Sequence, residues 1–290
     1  MTSRNLLNLG LLFFIAVLIA LLVYEPGKEK PVTPPLLTKL QASEITHLSI
    51  KIDNKELEFN KTEAGWMMLK PFRQPANPFR IDSILKLLSA VSLSQNNMAT
   101  LQPKEFGLDH PAAIVSFNKD TAILFGNNNS LKHHRYVQIN SDLHMIADTF
   151  YYQLAAKAES FIDHQLIPKD QKIIKLVLPG LTLAKNDASW SVKPMPTRFS
   201  MDAVNQLIDE WQLSQAYDIA YHKNKINSQA GTKSDITIDL SNNKTLRFTI
   251  EKSSDDFSLL NIDTGIQYIL SKDRRDKPLK LPEPETADKP

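Results

Sequence analysis

Residues 66–95 read WMMLKPFRQPANPFRIDSILKLLSAVSLSQ. Trp66 and Met68 stand two apart, the period of a strand, and Pro71, Pro75 and Pro78 then stop the strand. From residue 80 to 93 the apolar residues Ile81, Ile84, Leu87, Leu88 and Val91 recur at spacings of three and four, which predicts an amphipathic helix. The stretch has a second copy 120 residues on. Ile81, Ile84, Leu87, Leu88 and Val91 become Met201, Val204, Leu207, Ile208 and Trp211, and Leu93-Ser94-Gln95 becomes Leu213-Ser214-Gln215. Asp82 likewise becomes Asp202. A repeat of this period means a duplicated supersecondary unit.

Strand patterns flank both helices in the same order. Before the first lie Ile45 to Ile52, Leu57 with Phe59, and Trp66 with Met68. After it, past the loop TLQPKEFGLDHP, come 113–118, 121–125, 135–139 and 143–146, with Asn127 to Ser130 as a polar turn. Residues 148–161 predict a linking helix with Asp148 at its N-cap. The second copy runs through 173–178, 181–184, 189–193, a helix over 200–213 capped by Ser200, then 235–240, 245–250, 257–262 and 266–270. The expected fold is α+β: two tandem similar modules, each a mostly antiparallel sheet with a helix on one face.

Outward from this pair, Leu6 to Tyr24 carries no charge over about nineteen positions, about 28 Å as a helix, which predicts a single transmembrane helix. No small-x-small cleavage site follows it, so an uncleaved anchor is expected rather than a signal peptide. No polar face marks it as a buried core helix. The expected divisions are 1–24 cytoplasmic tail and anchor, 25–43 Pro-rich stalk, 44–147 first module, 148–168 linking helix, 169–273 second module and 274–290 disordered tail. Charge flanking the span is nearly even; the short N-terminal tail favours N-inside, with the body outside.

Composition excludes several classes. A net charge of +2 with no basic run among aromatics excludes a nucleic-acid footprint. No cysteine means no disulfide, no thiolate metal site, no cysteine nucleophile and no lipidated cysteine. Eight glycines form neither a phosphate loop nor a dinucleotide fingerprint. Neither Gly-x-Ser-x-Gly nor a supported Ser-x-x-Lys occurs.

The remaining candidates each have a plain structural reading. His133, His134 and His144 form the best metal-like cluster, yet neighbours on a strand face opposite ways, so only one of the pair could join His144; surface histidines of a hairpin are expected. Asp109 and His110 suggest an acid–base pair, but Gly-Leu-Asp-His-Pro is also what a tight loop requires. Trp66 and Trp190 hold equivalent places and are expected in the core rather than on a ligand. Trp211, in place of Val91, is expected to fill space between modules. No catalytic, cofactor-binding or metal residue is assigned.

The Ile-rich first strand, the tryptophan strand ending at Pro71, the helix near Asp82 and the loop Phe106-Gly107-Leu108-Asp109-His110-Pro111 together resemble the bacterial family known as domain of unknown function 4340 (DUF4340). Leu124-Phe125-Gly126 and Tyr136-Val137 also match its pattern. The second module lacks the loop and the glycine, and its likeness rests on Trp190 and the helix. The resemblance implies an envelope protein tethered by one N-terminal helix, beside components of ABC-type transport systems of the gliding-motility kind. The expected function is a non-enzymatic, membrane-anchored accessory protein of the inner membrane with a periplasmic body, bound to a membrane or periplasmic protein. Alternatives are a module holding a glycan, lipid or peptide between the repeats, and a hydrolase built on His133, His144 or Asp109.

Overall fold

The computed structural model describes residues 3–24, 35–129, 133–187, 189–195, 200–223, 234–252, 257–271 and 279–281. The chain divides into two compact units, Met1–Pro35 and Leu36–Pro290. In the first, α1 (Ser3–Tyr24) is a 22-residue helix, about 33 Å long at 1.5 Å per residue. Its large apolar side chains, among the described residues, are exposed, from 39% at Val17 to 87% at Tyr24. Among the described residues no helix is long and apolar enough to cross a membrane. Of the Pro-rich stalk, residues 25–34 lie outside the described residues.

The second unit begins with residues that pack on the body: the Leu37 N–H donates to the Ala90 carbonyl at 2.8 Å, and Leu37 is buried. Then follow β1 (His47–Ile52), β2 (Lys55–Thr62), β3 (Gly65–Lys70), β4 (Gln74–Pro75), α2 (Pro78–Leu85), β5 (Ser94–Asn97), β6 (Ala113–Phe117), β7 (Thr121–Asn129), β8 (His134–Ile139), β9 (Asp142–Ala147) and α3 (Thr149–Leu154). The second half holds β10 (Ile173–Leu178), β11 (Leu181–Asn186), β12 (Ser189–Lys193), α4 (Met201–Gln212), β13 (Asp218–Tyr221), β14 (Ile236–Leu240), β15 (Thr245–Lys252), β16 (Phe257–Asn261) and β17 (Ile266–Leu270).

Among the described residues these make two antiparallel sheets, ordered β4-β3-β2-β1-β6-β7-β8-β9-β5 and β12-β11-β10-β14-β15-β16-β17-β13. The orders coincide once β4 is set aside. In both, the strand after the helix crosses to the far edge. Inward residues alternate as the pleat requires: Leu48, Ile50 and Ile52 on β1, and Ala113, Val115 and Phe117 on β6, are buried. They share a core with Ile81, Ile84 and Leu85 of α2 and with Val204, Leu207, Ile208 and Trp211 of α4.

The repeat is real but its register differs from the sequence reading. The N-caps Asn77 and Ser200 correspond, as do the cis Lys70-Pro71 and Lys193-Pro194 bonds, an offset of 123 rather than 120. Ile81, Ile84, Leu85 and Leu88 then fall on Val204, Leu207, Ile208 and Trp211, all eight buried. Val91, matched above to Trp211, is 42% exposed whereas Trp211 is fully buried. Ser94 pairs with Met145 and Asp218 with Ile269 at matching places on the edge, so Leu93 corresponds to Tyr217 and the shared Leu-Ser-Gln is a coincidence one turn out of phase. A helical pattern tolerates such a slip because positions three or four apart share a face.

Other expectations are corrected at element ends. The first helix stops at Leu85 and tightens into a 3₁₀ turn over Lys86–Ser89, rather than running to 93. Asn127 to Asn129 belong to β7, not to a turn; Ser130 lies outside the described residues. The linking helix covers only Thr149–Leu154, and the 3₁₀ turn Ala158–Phe161 follows. Asp148 caps nothing with its side chain. Within the segment read as a disordered tail, Leu279 and Leu281 pack partly buried on the core; residues 274–278 and 282–290 lie outside the described residues.

Residues 161–167 knit the sheets together. The Asp163 N–H donates to the Pro75 carbonyl (2.8 Å) and Asn77 N–H to the Phe161 carbonyl (2.7 Å), extending the β4 edge. The Leu166 N–H donates to Ser214 (3.1 Å) and the Ala216 N–H to His164 (2.9 Å), reaching the second half. Phe161 is fully buried 5.7 Å from Phe59, and Phe72 stacks 4.4 Å from Tyr221.

Candidate functional site

The loop at 103–111 is positioned by two glycines. Pro103–Phe106 form a 3₁₀ turn that Gly107 ends at φ 68°, a left-handed conformation suited to glycine. The loop lies on a bulge of β7, where the register slips between Phe125 and Asn128. A Cβ on Gly107 would sit 2.3 Å from the Asn127 side-chain oxygen, and one on Gly126 would sit 2.1 Å from the Phe106 carbonyl oxygen. Both positions therefore require glycine. The Phe106 ring meets Tyr136 edge-on at 5.1 Å.

The bulge also aims polar groups inward. Arg135 on β8, 8% exposed, donates through Nε to Asp148, 3% exposed, and through Nη1 to the Gly126 carbonyl at 2.7 Å. The Asn128 amide donates to the other Asp148 oxygen. The Tyr151 ring lies 3.8 Å from the guanidinium carbon. A buried charge pair needs this many partners to offset its lost hydration. Sequence reasoning missed Arg135 altogether; it placed Asp148 at the N-cap position the residue does hold, but not its carboxylate on Arg135. The signal available was an isolated arginine at an inward position of the alternating strand HRYVQI.

The sequence candidates separate. His133 is exposed with φ 51°. His134 pairs across from Ala147 and His144 from Val137, so the two do not meet. His144 is buried, with Nδ1 2.9 Å from the Ser92 hydroxyl oxygen, which itself donates to the Ser94 carbonyl. The histidine therefore donates to Ser92. Burial pushes its pKa down, and Asp142 partly opposes this. Asp109 and His110 touch at 3.2 Å on the exposed loop. Among the described residues no group of three or more His, Cys, Asp or Glu side chains is placed to hold a metal ion.

Trp66 and Trp190 are half-buried against the core, opposite Lys61 and Lys185. Ser200 accepts from the Ala203 N–H at 3.1 Å as an N-cap. Trp211 is fully buried among core residues. The arrangement thus holds a loop and a helix onto one end of the first sheet, with its charged groups spent on one another.

A family model described as "Domain of unknown function (DUF4340)" matches residues 66–239, which take in both glycines, Arg135, Asp148 and both tryptophans of the repeat. Comparisons with curated proteins and with solved structures found no match. The match covers more than half of the 290 residues, and the chain belongs to the DUF4340 family.

Proposed function

We propose that this protein is a membrane-tethered, non-enzymatic accessory protein of the bacterial envelope, held by α1 in the inner membrane with its N-terminus cytoplasmic and its body in the periplasm. The observation that carries this reading is α1 itself: of its 22 residues, Leu6–Tyr24 carry no charge and make about 28 Å of helix, with the described apolar side chains exposed. An apolar helix of that length with exposed side chains is stable only in lipid or against a partner.

The body suits interaction rather than reaction. Its buried ion pair is enclosed and fully engaged, and His144 and Ser92 serve one another. The partner expected is an integral membrane protein of an ABC-type transport system. Residues 161–167 of the chain itself hydrogen-bond to both repeats, which favours the partner reading over a ligand held between them. Crosslinking the full-length protein in its native membrane, with a version lacking residues 1–24 as control, tests the proposal. A stoichiometric transporter subunit captured only with α1 present supports it; no captured partner overturns it.

A further inference from the structure

We propose that the face bearing Leu36, Val91 and Leu93 rests on an anionic bilayer surface, an inference that depends on α1 being the membrane anchor. Leu36 and Val91 are antiparallel bridge partners and therefore share a face, and Leu93, two residues on, joins them. Their exposures are 55%, 42% and 48%, while the alternate residues Leu37, Ala90 and Ser92 are buried. Across this single bridge Leu37 and Ala90 face inward, and Leu36, Val91 and Leu93 face outward.

The duplication supplies an internal control. Gln165 bridges Gln215 as Leu36 bridges Val91. In the second repeat the corresponding residues are thus Gln165, Gln215 and Tyr217, two of them polar. The neighbouring helices differ in the same sense. Phe79 and Lys86, exposed and seven residues apart on one helical face, correspond at the offset of 123 to Asp202 and Asp209. At these five positions the first repeat carries four apolar residues and a lysine, and its twin two glutamines, a tyrosine and two aspartates.

The repeat so altered is the one joined to α1. Only residues 25–35, including Lys28 and Lys30, separate Tyr24 from the start of the body, so Leu36 lies at most about 40 Å along the chain from the end of the anchor. Lys39 and Lys86 are exposed close by in sequence to the apolar trio. Basic side chains beside a membrane anchor are drawn to anionic lipid, and apolar neighbours insert at the headgroup boundary.

The cysteine-free chain permits single-cysteine labels without background. Full-length Leu93→Cys and Asn242→Cys, the latter on the exposed β14–β15 turn, would carry an environment-sensitive fluorophore in vesicles of phosphatidylethanolamine with phosphatidylglycerol. With brominated lipid, about half of the emission should be lost at residue 93 and almost none at 242. Protein that floats with alkali-washed vesicles yet shows no lipid quenching at 93 overturns this inference alone, whether water or protein covers the label. Protein that fails to float overturns the anchor reading with it.

Discussion

Arg135 and Asp148 are the residues on which the first sheet's end depends, because neither charge can reach water if the other is removed. Asp148→Ala should lower stability by about 3–5 kcal/mol, the usual effect of orphaning a buried charge, as a shift in the urea midpoint. Gly126→Ala should cost about 1–3 kcal/mol, since the Phe106 backbone must move to admit a methyl group. His144 sets an acid limit. Its folded pKa is depressed by burial, so below about pH 6.5 the unfolded chain takes up a proton that the folded chain resists. Its contribution is present in full above the unfolded pKa and is lost as pH falls toward the folded one. Urea midpoints near pH 7.5 and 5.5 should therefore differ more for the native protein than for His144→Gln; equal differences would remove His144 from the account.

Elements were legible in sequence where residues alternate or are capped. The alternating stretch at residues 113–118 is the strand β6 (Ala113–Phe117), and Ser200 caps α4 through the Ala203 N–H. Ser200→Ala should cost about 1 kcal/mol, measured by thermal or urea unfolding. The short edge strands β4, β5 and β13 escaped notice because QP, SQNN and DIAY carry too few alternating apolar residues to register. The helix register slipped by one turn for a similar reason: a chance Leu-Ser-Gln outweighed caps and prolines that only the backbone aligns. The signature loop was legible as a loop, but its contact with Gly126 joins residues about twenty apart on different elements. Nothing local encodes the bulge that Asn127 occupies.

At the scale of the whole body, residues 161–167 hydrogen-bond to both halves, so the repeats should unfold together despite separate sheets. Calorimetry of the body is expected to give one transition with matching calorimetric and van't Hoff enthalpies. Phe161→Ala, which empties the core beneath that segment, should cost about 3–5 kcal/mol and split the transition. The proposed anchoring by α1 would give the molecule a direction in the envelope, with the body on the periplasmic side. Protease added to intact spheroplasts tests that claim most directly. Loss of the folded body from outside is expected, with a short fragment containing α1 left in the membrane. A body protected until the membrane is lysed, or protein released with the soluble fraction, would contradict it.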